Sequence, residues 1–423
     1  MSDMTLITAR FVAPLSAPLL HHGGVLIRGN CVERTGAAAD LKRASNGIDM
    51  IDLGNAILLP GLVNAHTHLE LSNCRAGDSL EGHFGDWILR IRAQLRAQGE
   101  QFDTVIAAAV DQGLRQCRAF GVTTVGDISQ QGHITRPILR DAPLRVVSYG
   151  ETLGLGLQRA RHAELLTRAL DGSYASETLR IGLSPHSPYT VDLDGYRECL
   201  AAARERGLAL ATHLAENPEE QEFLQHQSGV FRRIWESLAQ WADPVPTLRT
   251  SPVRFAHEIG LLDYPTLLAH LNYCDDEEMD LLSRGRASVV YCPRTHSYFG
   301  HPPHRWREML ARGINVAVGT DSCASSPDLN LVEDLRLLRR IAPDAAAQAL
   351  WEMATVRAAR AIRMEDAVGT IARGKRADLV AFEAFDADPL DSILRDARGP
   401  THVWFDGVLT PSAPQFPSRT SRG

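Results

Sequence analysis

The sequence of 423 residues predicts an α/β protein: a (β/α)8 TIM barrel with a small β-sandwich domain built from both termini. Two observations carry this prediction. Short β-type runs alternate with helical patterns eight times between about residue 60 and residue 360. Strand-like runs bounded by Gly, Asn and Pro also occur near both ends of the chain. The length exceeds what one small core supports, so a large domain with a smaller companion is expected.

The small domain is predicted from residues 1–58 and 365–423, and the barrel from residues 59–364. The strand signals of the small domain lie at residues 5–9, 24–28, 51–53, 377–382 and 401–408. Those of the barrel lie at residues 62–63, 122–125, 144–149, 179–183, 208–212, 267–269, 288–291 and 315–318. Residues 225–265, with Trp235 and Trp241, interrupt the barrel rhythm and predict a helical insertion that caps the site.

Composition and charge exclude several classes of protein. Lys and Arg number 44 against 51 Asp and Glu, a formal charge of −7, so nothing recommends nucleic acid as a partner. No apolar run approaches the ~20 residues that span a bilayer. The N-terminal segment lacks a basic leader, and Pro14 and Pro18 interrupt it. Seven scattered cysteines without a C-x-x-C pair indicate reduced thiols, so we predict a cytoplasmic protein.

Histidines and acidic residues follow the predicted barrel strands, where a barrel collects its chemistry. His66 and His68, two residues apart at the end of the first strand, share one face of that strand. Later strands end in His186, in His213 and Glu216, in His270 and in Asp321. Three neutral imidazoles with one carboxylate suit Zn²⁺ or Fe²⁺ and leave a position for water. The sequence therefore predicts a metal site at this rim.

These motifs resemble the metal-dependent deaminase branch of the amidohydrolase superfamily. The likeness rests on P-G-L-V-N-A-H-T-H at 60–68, H-L-A-E at 213–216, His270 and G-T-D-S at 319–322, and it covers the chain nearly end to end. The pairing of His213 with Glu216 resembles the branch that holds one metal and deaminates aromatic rings. By that resemblance, the metal ligands are His66, His68, His213 and Asp321.

The lysines favour one metal over two. Branches with two metals often bridge them with a carboxylated lysine, and this chain contains only Lys42 and Lys375, both outside the predicted barrel. Glu151, at the end of the third strand, is the one carboxylate available as a substitute bridge. We expect one divalent ion, Zn²⁺ first, while the ligand set also accommodates Fe²⁺ or Mn²⁺.

Deamination of an aromatic amidine needs a hydroxide, a proton for the ring nitrogen and a proton for the departing ammonia. By the resemblance, Glu216 moves the water proton to the ring, His270 stabilises the attacking oxygen, and Asp321 delivers the second proton. His68-Leu69-Glu70 also fits the H-x-E half of the cytidine and nucleic-acid deaminase signature. Its P-C-x-x-C half is absent, because Cys292-Pro293 has the reverse order. That family is excluded.

The predicted substrate is a 6-aminopurine nucleoside of the aminofutalosine, S-adenosylhomocysteine or adenosine type. P-H-S-P-Y at 185–189 resembles the adenosine-type deaminases of the superfamily, while H-T-H-L-E at 66–70, Asp86-Trp87 and residues 292–296 resemble those acting on aminofutalosine. The candidate substrate-binding residues are His186, Trp87, Glu70, Arg90 and Arg294. The two arginines offer planar donors suited to a carboxylate.

Two other functions stay open. The second hypothesis is a hydrolase of another C–N or C–Cl bond, acting on a triazine, guanine, cytosine or a cyclic amide. The third is a non-catalytic metal-binding protein, against which the intact set of His213, Glu216, His270 and Asp321 argues. The residues do not fix the oligomeric state; the resemblance allows a homodimer, because barrels of this family commonly dimerise.

Overall fold

The structure, a computed structural model, describes residues 4–44, 47–75, 77, 80, 83–243, 245 and 247–411. The strands are β1 (Met4–Val12), β2 (Leu20–Arg28), β3 (Cys31–Ala37), β4 (Asp49–Asp52), β5 (Ala56–Pro60), β6 (Leu62–Thr67), β7 (Val122–Ser129), β8 (Arg145–Thr152), β9 (Leu179–Pro185), β10 (Ala209–Leu214), β11 (Thr266–His270), β12 (Ser288–Tyr291), β13 (Asn315–Val318), β14 (Leu379–Glu383), β15 (His402–Phe405) and β16 (Val408–Leu409).

The helices are α1 (Ala38–Ala44), α2 (Phe84–Arg96), α3 (Phe102–Ala119), α4 (Gly132–Arg140), α5 (His162–Ala169), α6 (Leu193–Arg206), α7 (Pro218–His226), α8 (Gly229–Ser237), α9 (Pro252–Glu258), α10 (Asp276–Arg284), α11 (Pro293–Phe299), α12 (Trp306–Ala311), α13 (Leu331–Ile341), α14 (Ala347–Met353), α15 (Val356–Ala361) and α16 (Pro389–Arg395). Short 3₁₀ helices occupy Leu69–Leu71, Gly99–Gln101 and Gly156–Arg161. Over the described part of the chain, each helix is too short or too polar to cross a membrane.

Strands β6 to β13 form one parallel sheet in chain order, and a bridge between Thr67 and Asp321 joins its last strand to its first. This arrangement confirms the predicted (β/α)8 barrel. Inside the barrel, Val63 and Ala65 of β6 pack in one apolar cluster with Ala211 of β10. Several strands run further towards their C-terminal ends than predicted, because polar residues such as Thr67 and His213 pair within the sheet.

The strands of the small domain form one mixed sheet in the order β16-β15-β14-β5-β1-β2-β3, with β4 beside β1. The prediction of one β domain built from both termini is confirmed. Apolar residues pack on both faces of this sheet: Ile7 and Val25 lie in one cluster, whereas Leu6 and Leu26 pack with Leu41 of α1 in another. Strand β3 was not predicted, because its polar sequence is held by pairing with β2.

The chain passes from the small domain into the barrel at Gly61. Its N–H donates to the carbonyl of Asp378 at 2.8 Å, and it is the one residue between β5 and β6. A Cβ here would lie 2.2 Å from Oγ1 of Thr123, so a side chain does not fit without displacing β7. The domain limits at 58/59 and 364/365 stay a prediction.

The segment after β10 contains helices α8 and α9, which confirm the helical insertion. Phe231 of α8 stacks on Tyr189 with ring centroids 3.8 Å apart, and Trp235 donates from its indole nitrogen to the carbonyl of Tyr189 at 2.8 Å. Tyr189 belongs to the loop that carries His186. The insertion therefore packs against the C-terminal rim of the barrel, while a capping role stays a prediction.

A buried ion pair joins the two domains. Arg145, the first residue of β8, is 1% exposed, and its Nε donates to Oδ2 of Asp378 at 2.7 Å. Its guanidinium also pairs with Asp406 of the small domain. Because the side chains of Arg145 and Asp378 are both buried, removing either one would leave the other as a buried charge with one ionic partner fewer.

We expect Asp378→Ala to lower the free energy of unfolding by about 3 kcal/mol, since it leaves a buried guanidinium with one partner fewer. Urea unfolding followed by circular dichroism measures the change. The exposed Asp386 of the same domain provides the control, and Asp386→Ala should change stability by less than about 0.5 kcal/mol. Equal stabilities of the two variants would contradict a role of the ion pair in joining the domains.

Candidate metal centre and active site

Four imidazoles converge at the C-terminal rim of the barrel. The ring centroid of His66, on β6, lies 5.0 Å from that of His68, 5.1 Å from that of His213 on β10 and 5.4 Å from that of His270 at the end of β11. Val63 and Ala65 face the barrel interior, and the register of β6 against β7 then shifts between Asn64 and Thr67. This extra residue lets His66 and His68 point inward as well, while Thr67 between them turns outward and donates to the carbonyl of Gly126. The spacing that predicted a shared face is thus realised.

The nitrogen atoms of this cluster fit a divalent metal ion. Both ring nitrogens of His66 are buried without a hydrogen-bond partner. Nε2 of His68 and Nε2 of His213 lie 3.1 Å apart, and Oδ1 of Asp321 lies 3.7 Å from Nε2 of both His66 and His68. Buried polar atoms normally have partners, so unpaired nitrogens pointing at one another indicate a cation. Burial lowers the pKa of His68 to about 3 and that of His213 to about 4, which keeps both rings neutral as metal ligands must be.

Neighbouring groups orient these ligands. Nδ1 of His213 lies 3.1 Å from the carbonyl of His186, and a proton donated there leaves the lone pair on Nε2 free for the centre. Asp321 accepts from the hydroxyl of Ser325 at 2.9 Å through Oδ2, and its N–H donates to the carbonyl of His66. The carboxylate keeps Oδ1 directed at the imidazoles.

Residues in the left-handed region of backbone space concentrate at these strand ends. Ala215 has φ of 50°, His270 of 71°, Leu271 of 49° and Asp321 of 57°. Each costs about 1–3 kcal/mol when the residue is not glycine, and such strain collects at functional sites. Here it turns the chain sharply after β10, β11 and β13, so that side chains at three strand ends face one point.

Glu216 lies beside the imidazole cluster and is 5% exposed. Its Oε1 is 3.6 Å from Nε2 of His270. Burial raises the pKa of Glu216 well above its ordinary value, and the nearby carboxyl groups of Asp321 and Glu220 raise it further. Burial therefore favours the protonated form of this carboxyl group.

Glu220 positions Glu216, and sequence reasoning missed it. Its two carboxylate oxygens accept the backbone N–H groups of Ala215 and Glu216, each at 3.0 Å, and the residue is fully buried. Asn217 caps the same helix, α7, by accepting from the N–H of Glu220. The available signal was the acidic first turn after Asn217-Pro218, which marks a helix start directly behind Glu216.

The predicted substrate residues lie in different settings. His186 is partly exposed with its ring centroid 4.8 Å from that of His213, which places it in the site. Trp87 of α2 donates to the carbonyl of Ala324, which follows the Asp321 strand end. Arg90 is exposed on α2. Glu70 accepts from the Ser129 hydroxyl at 2.5 Å and from two backbone N–H groups of the turn after β7. These contacts make Glu70 a support of that turn.

The contacts of Arg294 do not support its prediction as a carboxylate-binding residue. Its Nε donates to Asp334 at 2.9 Å, and its terminal nitrogens donate to the side chain of Asp328 and to the carbonyls of Asp328 and Asn330. Every guanidinium nitrogen is thus engaged within the protein. We correct the prediction: Arg294 ties the loop before α13 to α11.

Two further groupings could hold a metal ion. His66, His270 and Asp321 form one, and Glu151, His186 and His213 form the other. The second shares His213 with the set His66, His68 and His213. Nδ1 of His213 faces the carbonyl of His186, so Nε2 alone would have to bind a metal ion in both groupings. The described residues therefore favour one metal position over two.

Comparisons with known proteins agree with this geometry. Residues 57–410 match the Amidohydrolase family. A 5-methylthioadenosine/S-adenosylhomocysteine deaminase of Moorella thermoacetica is 28% identical over 383 residues, covering 88% of this chain and 84% of that protein. Helicobacter pylori aminofutalosine deaminase, solved with methylthio-coformycin, has a TM-score of 0.84 at 23% identity and covers 96% of this chain and 100% of its own. An adenosine deaminase from Xanthomonas campestris with bound zinc has a TM-score of 0.79 at 22% identity, covering 96% and 92%. With a family match over most of its length, the chain belongs to the amidohydrolase family.

Proposed function

We propose that this protein is a metal-dependent hydrolase that deaminates a 6-aminopurine nucleoside and releases ammonia. The observation that carries the proposal is the buried Glu216 carboxyl, 3.6 Å from His270 and beside the unpaired imidazole nitrogens. Hydrolytic deamination needs such a proton carrier next to a source of hydroxide. The similar Moorella thermoacetica protein is named a 5-methylthioadenosine/S-adenosylhomocysteine deaminase, which supports the substrate class.

The residues proposed to hold the metal are His66, His68, His213 and Asp321. Zinc is the ion proposed, because three neutral imidazoles and a carboxylate are a common catalytic zinc set, and the similar Xanthomonas protein contains zinc. When bound, such an ion lowers the pKa of a water from ~15.7 to about 7 and so makes hydroxide available at neutral pH.

The unpaired thiols of the seven cysteines support a cytoplasmic location.

The protein residues then manage two protons. Glu216, whose raised pKa lets it hold a proton, takes one from water and gives it to the ring nitrogen. Asp321, whose pKa burial raises in the metal-free protein, is the carboxyl group proposed to carry the second proton to the leaving ammonia. Burial and the nearby His213 lower the pKa of His270 well below its ordinary value, so its neutral ring offers a hydrogen bond to the attacking oxygen.

The test is a substrate panel on protein of measured zinc content. Adenosine, 5′-methylthioadenosine, S-adenosylhomocysteine, aminofutalosine, adenine, guanine, cytosine and a chlorotriazine are compared by ultraviolet absorbance and by ammonia or chloride release. We expect ammonia from the adenine nucleosides, and none after the metal is chelated. Reaction of guanine, cytosine or the triazine in preference to every adenine nucleoside would contradict the proposal.

We expect Glu220→Ala to lower kcat roughly 10- to 100-fold without loss of metal, because the turn that carries Glu216 loses its two hydrogen-bond acceptors. Glu220→Gln should recover part of the activity, since its amide oxygen still accepts one of the two N–H groups. Glu219→Ala, at the adjacent position, is the control. Steady-state kinetics with metal analysis checks all three; equal activities of Glu220→Ala and Glu219→Ala would show that Glu220 does not position the shuttle.

A further inference from the structure

Glu151 is a buried carboxyl group that the proposed mechanism does not use. It lies on β8, where Thr152 points outward and contacts Sγ of Cys199 at 3.4 Å. Tyr149 and Val147, two and four residues earlier, lie in the inner barrel cluster. Alternation along the strand therefore directs Glu151 inward, at the rim that carries the imidazoles. Its side chain is 4% exposed.

One oxygen of this carboxylate is held and the other is not. Oε2 accepts from the side-chain amide of Gln130 at 2.6 Å, whereas Oε1 is buried without a hydrogen-bond partner. Gln130 belongs to the turn after β7, and Glu70 fixes that turn by accepting the N–H groups of Gln130 and Gln131. Glu70 thus supports the residue that orients Glu151. A buried acceptor left open in a rigid frame indicates a donor on a ligand.

The open oxygen lies beside His186. Oε1 of Glu151 is 4.0 Å from Nε2 of His186, which is too long for a hydrogen bond between them. The ring of His186 is fixed from its other side, because Nδ1 contacts the hydroxyls of Ser187 and Thr190 at 2.9 and 2.8 Å. Two oriented polar atoms therefore lie next to each other on one wall of the site.

The chemistry of the proposed substrate decides what an acceptor here can bind. The nitrogens N1, N3 and N7 of a 6-aminopurine are acceptors, so the hydrogen-bond donors common to all the proposed nucleosides are the 6-amino group and the sugar hydroxyls. The 6-amino group must face Glu216 and Asp321, where the reaction occurs. A sugar hydroxyl remains for Glu151. The 2′-hydroxyl is adjacent to N3 of the base, so neighbouring groups such as Glu151 and His186 can contact both.

We propose that Glu151 accepts a hydrogen bond from the 2′-hydroxyl of the ribose and makes the enzyme select ribonucleosides over 2′-deoxyribonucleosides. This inference rests on the proposed function and deepens it, because it defines the sugar. Glu151 is then a specificity-determining residue, and Gln130 is a positioning residue that acts through it.

The experiment compares kcat/KM for adenosine and 2′-deoxyadenosine on zinc-loaded enzyme, with 5′-methylthioadenosine and its 2′-deoxy form as a second pair. We expect the wild type to prefer the ribonucleoside by about 10- to 100-fold, the range for leaving a buried hydrogen-bonding group without its partner. Glu151→Ala should lower kcat/KM for the ribonucleoside by a similar factor, chiefly through KM. It should leave the 2′-deoxyribonucleoside nearly unchanged, so that the preference disappears.

Further variants separate recognition from folding. Glu151→Gln should retain part of the preference, since its amide oxygen still accepts. Gln130→Ala should reduce the preference without removing it, whereas Gln131→Ala, in the same turn, should leave it unchanged. Melting temperature and zinc content are measured for each variant.

Three results would overturn the inference. In the first, Glu151→Ala lowers kcat/KM equally for the ribonucleoside and the 2′-deoxyribonucleoside, which would make Glu151 a structural residue. In the second, the loss of the 3′-hydroxyl in 3′-deoxyadenosine lowers kcat/KM and the loss of the 2′-hydroxyl in 2′-deoxyadenosine does not. In the third, the zinc-loaded wild type turns over no adenine nucleoside, and only this result would overturn the proposed function as well.

Discussion

Glu216→Gln is expected to lower kcat at least ~10²-fold while the full metal content is kept, because the amide has the same size but cannot carry a proton. Glu216 is buried beside His270 and is not among the proposed metal ligands, so the substitution leaves the ligand atoms in place. KM should change little, since the amide fills the same space.

The measurement is steady-state deamination with metal analysis of the same preparation. Glu219→Gln makes the same chemical change three positions along the chain and should keep wild-type turnover. Near-normal turnover of Glu216→Gln would move the proton-carrying role to another carboxyl group, of which Asp321 is the nearest to the imidazoles.

His66→Ala and His213→Ala are expected to abolish activity and to lower the bound metal to well below one ion per chain, because each removes one of four proposed ligands. The loss of stability of the metal-free protein should be smaller than the loss of activity. Both nitrogens of His66 lack a protein partner, so its removal breaks no hydrogen bond of the described structure.

Metal analysis after dialysis, followed by activity with and without added zinc, checks this prediction. His226→Ala, an exposed histidine at the end of α7, is the control and should retain metal and turnover. A His66 or His213 variant with full metal and full turnover would contradict the assignment of the centre.

The sequence was informative wherever a signal is local. Alternating apolar runs predicted each of the eight barrel strands, and their polar endings predicted where His66, His213 and Asp321 would meet. Because the active sites of such barrels lie at the C-terminal ends of the strands, the predicted strand positions also predicted the position of the site.

The sequence was uninformative where a role depends on distant partners. Arg294 was predicted from the sequence to bind a substrate carboxylate, but it pairs with Asp334, 40 residues away. Glu70 reads as a substrate ligand, but its contacts are with the turn that begins at Ser129, 59 residues away. In both cases local residue type gives the chemistry, and only tertiary packing shows whether that chemistry is already used within the protein.

The pairing of β5 between β1 and β14 has a consequence for synthesis on the ribosome. Strand β5 is fully buried in the finished protein and leads through Gly61 into β6, the strand that carries His66. Its partner β14 begins only at Leu379, far along the chain. Translation adds about 5–20 residues per second, so roughly a quarter of a minute to a minute separates the emergence of the two partners. During that interval the nascent chain presents an apolar strand edge. This edge therefore needs protection during translation, for example by chaperones, until β14 has been made and pairs with it.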